Sequence, residues 1–174
     1  MGIRRARKGL AMFSVGDLVV HPMHGAGVID AIVQEKVAGS TQDYYVFKMP
    51  VGGLLLKIPT ANSDSIGLRA IIAPAEAEVL LRAIPTLELE QTANWNRRYR
   101  ENMERLKSGN LYEVARVMKA LMERDQVRGL STGERKMLHS ARQILISELV
   151  LVQHTSYQDM EAQVDAAMMC PSVV

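Results

Sequence analysis

Between residues 13 and 72 the apolar positions fall in short runs rich in Val, Ile, Gly and Tyr, separated by turn residues. Leu18-Val19-Val20-His21 reads as a strand, Pro22 to Gly27 as a corner, and Val28–Val33 as a second strand. Ala38-Gly39-Ser40 turns the chain into Tyr44–Met49, and Gly52-Gly53 turns it into Leu54–Ile58, closed by Pro59. Short runs bounded by Gly and Pro predict a meander of antiparallel strands. A segment of this length curls most economically into a small barrel.

From Ala73 onward the period changes to that of a helix. Pro74 suits a first helical position, ahead of Ala75–Ile84, and Pro85–Thr92 reads as a connector. A helix is expected from Trp95 to Lys107, broken by Ser108-Gly109, and another from Leu111 to Arg128, stopped by Gly129. Ser131 with Glu134 three positions on is a capping-box signature for a long helix to about Val152. Ser156 with Asp159 repeats the device before a last helix to about Met168. Val114, Val117, Met118 and Leu121, then Met137, Leu138, Ala141, Leu145 and Leu149, recur at helical spacing, so these helices should share a core. The pattern therefore divides 174 residues near position 72. The expected fold class is α+β: an N-terminal small antiparallel β-barrel over 12–72, then an all-helical domain over 73–169, with a tail at 170–174.

Composition narrows the class. About half the residues are apolar and 23% charged, the balance of a globular protein. No apolar run approaches the roughly 20 residues that span a bilayer, and the basic N-terminus meets Asp17 before any secretory apolar core can form. A single cysteine, Cys170, permits no internal disulfide and fits a reducing cytoplasm.

Charge changes the picture more. Residues 1–11 carry Arg4, Arg5, Arg7 and Lys8 without an acid. They are expected to lie outside the fold, as a disordered or a non-native extension, the second of which would put the true start at Met12. Residues 94–142 hold 12 Lys/Arg against 6 Asp/Glu, whereas 143–174 hold four acids and no base. A basic block of this kind attracts phosphate while the whole chain stays near neutral at +2.

Catalytic chemistry finds no footing. His21 and His24 have H-x-x-H spacing, but no second pair of ligands accompanies them, and histidines at a Pro/Gly corner are most often structural. Neither a phosphate-cradling loop nor a G-x-S-x-G elbow is present. Glu101 and Arg105 stand at ion-pair spacing on a solvated helix face. No metal and no cofactor is expected.

Asn94-Trp95-Asn96-Arg97-Arg98-Tyr99-Arg100 is the most unusual segment. It sets the sole tryptophan at a helix start beside three arginines, an arrangement suited to phosphate contacts and to wedging an aromatic against bases. Equally, Trp95, Tyr99, Met103 and Leu106 share one helical stripe, as core residues do. Arg135-Lys136 at the start of the long helix either meet phosphates or solubilise a surface. Leu111–Ser147 fits a helix-turn-helix and an ordinary αα-hairpin alike.

The same residues carry a resemblance. Phe13-Ser14-Val15-Gly16-Asp17 through Val20-His21-Pro22-Met23-His24-Gly25 resembles the opening of the CarD/CdnL family, and Leu56-Lys57-Ile58-Pro59 is similar to its polymerase-facing strand. Asn94–Tyr99, Arg124-Asp125-Gln126, Gly129-Leu130-Ser131, Gly133–Leu138 and Ala141–Leu145 resemble its helical domain, so the likeness runs over roughly 12–165. The resemblance implies a Tudor-like N-terminal domain that binds the RNA polymerase β subunit, a module shared with transcription-repair coupling factor. It also implies a helical domain that lies on promoter DNA and stabilises the open complex. Trp95 would wedge into the minor groove. Arg97, Arg98, Arg100 and Arg135 would contact DNA, and Lys57 and Pro59 polymerase. Glu35 departs from the basic residue of some relatives and stays out of the site. The expected partners are the polymerase β subunit and promoter DNA read largely without sequence preference, with no membrane, a monomeric chain and a cytoplasmic location. Two other classes are a free-standing helix-turn-helix repressor and a protein–protein adaptor without DNA contact.

Overall fold

The computed structural model describes residues 12–90 and 92–170; the expected extension at 1–11 and the end of the tail at 171–174 lie outside them. Strands β1 (Leu18–His21), β2 (Gly25–Val37), β3 (Ser40–Lys48), β4 (Leu55–Pro59) and β5 (Arg69–Ala70) form one antiparallel sheet in the order β4-β3-β2-β1-β5. The β2–β3 hairpin is longer than its apolar run, because pairing continues through Gln34↔Asp43 and Lys36↔Thr41 to the tip. Ala38 and Gly39 turn it with φ of 49° and 82°, the mirror-image turn that suits the twist of a two-residue hairpin loop. Register slips at Asp30, between the Ile29 and Ala31 pairings, as a bulge does.

The α+β class holds, but the sheet is open and does not close into a barrel. Closure needs a full last strand, and β5 keeps only two residues in register with β1. The chain then leaves for the helical half, where the Ile72 N–H donates to the Glu148 carboxylate at 3.0 Å. Helix α1 (Ser63–Ile66) joins β4 to β5.

One face of the sheet buries Val19, Ile29, Tyr45, Phe47, Met49, Ile58 and Leu68. Val20 and Ala26, paired in register, are buried outside that cluster, where β1 and β2 meet helix α5 (Thr132–Gln153). Gly25 permits this approach. Its φ is +100°, and a Cβ there would stand 2.3 Å from Ser147 Oγ. That hydroxyl instead accepts the Ala26 N–H at 2.9 Å in a buried hydrogen bond.

The second core lies among α2 (Pro74–Ala83), α3 (Trp95–Lys107), α4 (Leu111–Arg128), α5 and α6 (Tyr157–Met169). Leu80, Leu106, Val114, Leu121, Leu145, Leu149 and Val164 are among its buried members. Pro74 opens α2 at its first turn, Gly129 stops α4, and Ser131 with Glu134 makes a reciprocal capping box on α5. Lys119 is buried, yet its ammonium donates to the carbonyls of Ile84 and Pro85 at 3.1 and 2.8 Å. That pins the end of α2 and its connector to α4.

Candidate nucleic-acid interface

Helix α3 starts at Trp95 because Asn94 caps it, its side-chain oxygen accepting the Arg97 N–H at 3.0 Å. No acid occupies the first turn, so the positive end of the helix is not neutralised there. The stripe of Trp95, Tyr99, Met103 and Leu106 deepens along α3: Leu106 is buried, Tyr99 and Met103 are partly covered, and Trp95 is 44% exposed. The Trp95 and Tyr99 rings stack with centroids 5.3 Å apart and planes 22° from parallel. The tryptophan is thus the uncovered end of a stripe whose other end is core, supported from below by a tyrosine.

That tyrosine rests on the first turn of α5, its ring 3.4 Å from where a Cβ on Gly133 would stand. The starts of α3 and α5 therefore lie together. The arginines gathered there differ in what they hold. Arg97 is largely exposed and donates from Nε to Glu101 at 2.7 Å; that hydrogen bond, ahead of the opposing effect of desolvation, keeps the Glu101 carboxyl below its ordinary pKa. Arg100 and Arg135 are exposed, and among the described ion pairs none engages either. Arg98 is only 16% exposed and donates to Glu134 at 3.1 Å and to the Thr92 carbonyl at 2.9 Å. Burial alone would raise the pKa of Glu134, but the Ser131 N–H, Arg98 and Arg124 outweigh it and hold it below the usual range. Arg105 bridges α3 to Glu113 of α4 at 3.4 Å.

The other predicted residues lie on the sheet. Lys57 is exposed on β4, a sheet edge, and is ion-paired with Glu35 of β2 across the intervening β3. Pro59 ends β4, opposite Tyr44. The sheet therefore carries Lys57 and Pro59, whereas the helical body carries Trp95, Arg97, Arg98, Arg100 and Arg135. At the corner between β1 and β2, His21 accepts the Met23 N–H at 3.1 Å and its ring lies 4.6 Å from that of His24. Burial first, then His24, pushes its pKa down to about 4. Among the described residues no cluster of three His, Cys, Asp or Glu side chains forms a metal site, and no described helix is long and apolar enough to cross a membrane.

Sequence reasoning assigned Glu134 only a capping role and met Arg124 only within a family-like segment, without its pairing: Arg124 Nε lies 3.2 Å from Glu134, out of line for a hydrogen bond. A capping box is visible at a spacing of three; an arginine arriving from another helix leaves no such trace.

Residues 13–72 match the CarD-like/TRCF RID domain, and residues 80–165 match the CarD C-terminal domain. Over 142 residues, which cover 82% of this chain and 93% of the relative, the sequence is 33% identical to a Bacillus subtilis (strain 168) protein named "Putative transcription factor YdeB".

Proposed function

Because the chain belongs to the CarD-like family of transcription regulators, we propose that it is a non-catalytic regulator that grips the RNA polymerase β subunit through β4 and stabilises the promoter open complex through the joined tips of α3 and α5. The observation that carries the DNA half is the exposed, tyrosine-backed indole at an acid-free helix start, with Arg97 and Arg100 exposed on the same helix and Arg135 exposed on the first turns of α5. A flat aromatic of this kind wedges into a distorted minor groove, and arginines around it meet phosphates; both interactions are nearly blind to sequence. On the polymerase side, β4 is a sheet edge with Lys57 outward and Leu55 59% exposed. An edge strand can accept a partner strand. Tethering then supplies specificity: polymerase delivers a weak DNA module to one place at high effective concentration.

A helix-turn-helix reading needs a recognition helix with one free face. In α5 every residue from Ile144 to Leu149 is buried, so only its first turns, where Arg135, Lys136 and His139 are exposed, offer such a face. Footprinting on promoter DNA with and without polymerase is the test. Protection at the upstream edge of the bubble is expected only when polymerase is present. Protection of a defined operator by the protein alone would instead make it a free-standing repressor, and copurification with polymerase without any protection would make it an adaptor.

A further inference from the structure

Arg98 stands amid basic residues but faces inward. One arm of its guanidinium donates to the Thr92 and Ala93 carbonyls at 2.9 and 3.4 Å, and the other to Glu134 at 3.1 Å. Thr92 and Ala93 belong to the strap that leads through Asn94 into α3, so one side chain fixes the strap, the first turn of α3 and the first turn of α5. Glu134 receives it from a buried position, and its second oxygen accepts the Ser131 N–H at 3.0 Å. By charge alone this carboxylate is a cost at a face meant for phosphate. Its place is explained by geometry: it is the fixed point to which the tip of α3 is fastened.

We infer that Arg98 and Glu134 are positioning residues that aim the Trp95–Tyr99 pair, and that Arg98 is not itself a phosphate contact. The inference rests on the DNA-wedge reading above and deepens it. A planar fork suits the task because its separate nitrogens reach acceptors on different elements, whereas lysine concentrates its donors on one flexible nitrogen.

Two substitutions separate aim from charge. Arg98→Lys keeps the positive charge and loses the fork. Glu134→Gln removes a negative charge near DNA, while glutamine at this position still closes the capping box and starts α5 normally. A phosphate-contact account predicts little change for Arg98→Lys and a longer-lived promoter complex for Glu134→Gln. The positioning account predicts that both shorten lifetime, by about 2- to 150-fold on the scale of couplings between touching residues, with no change in the salt slope of DNA binding. In a Trp95→Ala background neither substitution should have a further effect, since both act through the indole.

The sole tryptophan reports the tip directly in the free protein. Both variants should lower its fluorescence anisotropy while helical circular dichroism stays at the parent level. A longer lifetime for Glu134→Gln, effects that add to those of Trp95→Ala, or unchanged anisotropy in both variants would overturn the inference. Trp95→Ala without effect on complex decay would overturn the wedge reading itself, which is a different result.

Discussion

Arg69 of β5 and Glu148 of α5 meet as a two-pronged ion pair, Nη1 to Oε1 and Nη2 to Oε2, each at 2.8 Å. Glu148 is fully buried and also accepts the Ile72 N–H, so one carboxylate holds the last strand and the chain leaving it. Removing the carboxylate leaves an arginine and an amide without their partner. Glu148→Ala should therefore lower the unfolding free energy by about 3 kcal/mol, read from urea midpoints with an unchanged denaturant slope. A loss near that of an exposed pair, below about 1 kcal/mol, would show that the joint does not depend on it.

His21 makes stability fall in acid. Its pKa is pushed from 6.5 down to about 4 in the fold, so the unfolded chain binds the proton more readily. Stability is then complete above pH 6.5 and lost as pH drops toward 4. Asparagine offers an acceptor for the Met23 N–H without titrating. His21→Asn should therefore flatten the fall of melting temperature across that window, and an unaltered pH profile would assign the acid sensitivity elsewhere.

Lys57 should serve the partner more than the fold. Its pairing with Glu35 is exposed, and pairs of that kind contribute about 0–1 kcal/mol. Lys57→Glu should leave the melting temperature nearly unchanged and weaken binding to the polymerase β subunit. The double swap Glu35→Lys with Lys57→Glu restores the pair inside the sheet but not the surface, so polymerase binding should stay weak. Full recovery in the double variant would mean that the pair itself, not the position of the positive charge, is what polymerase needs.

Arg100 and Arg135 should behave as phosphate contacts. Each contact released should reduce the slope of log affinity against log salt by about 0.9 for duplex DNA. Arg100→Ala with Arg135→Ala should thus flatten the slope by nearly two units, whereas Arg98→Lys should not flatten it. An unaltered slope in the double variant would leave both as solvated surface residues.

Trp95→Ala should separate folding from function. At 44% exposed, the indole contributes less to stability than a buried aromatic, whose truncation costs about 3–5 kcal/mol. The melting temperature should stay close to that of the parent. Stacking of a base on an aromatic contributes about 1–3 kcal/mol, so promoter complexes challenged with competitor should decay about 5- to 150-fold faster. A strongly destabilised protein would return Trp95 to the core.

Much of this architecture was legible because it is local. The bounds of α3 and α4 could be read from Trp95–Lys107 and Leu111–Arg128, since a break or a glycine marks each end. The Ser131–Glu134 box was legible for the same reason. β2 was read short at Val28–Val33, because its pairing continues where the apolar run stops. α1 and β5 were missed, being too brief to show a period. The two joints that set the geometry, Arg69–Glu148 and Arg98–Glu134, bridge 79 and 36 positions, and no spacing rule reaches so far. The Trp95 stripe was ambiguous on its own terms: periodicity names a face, but only the packing of α5 shows that the cover stops short of its first residue.

Glu134 and Glu148 stand on the same uninterrupted helix. The first fastens the indole-bearing tip, and the second fastens the sheet. At 1.5 Å per residue they lie about 21 Å apart along the axis. α5 is therefore a gauge: in the proposed complex, once polymerase holds the sheet, the helix sets the distance between that hold and the tip. Inserting one residue between the two fastenings would turn the tip by about 100° and advance it by about 1.5 Å. The length of α5 between positions 134 and 148 is thus as much part of the proposed instrument as any side chain assigned to DNA.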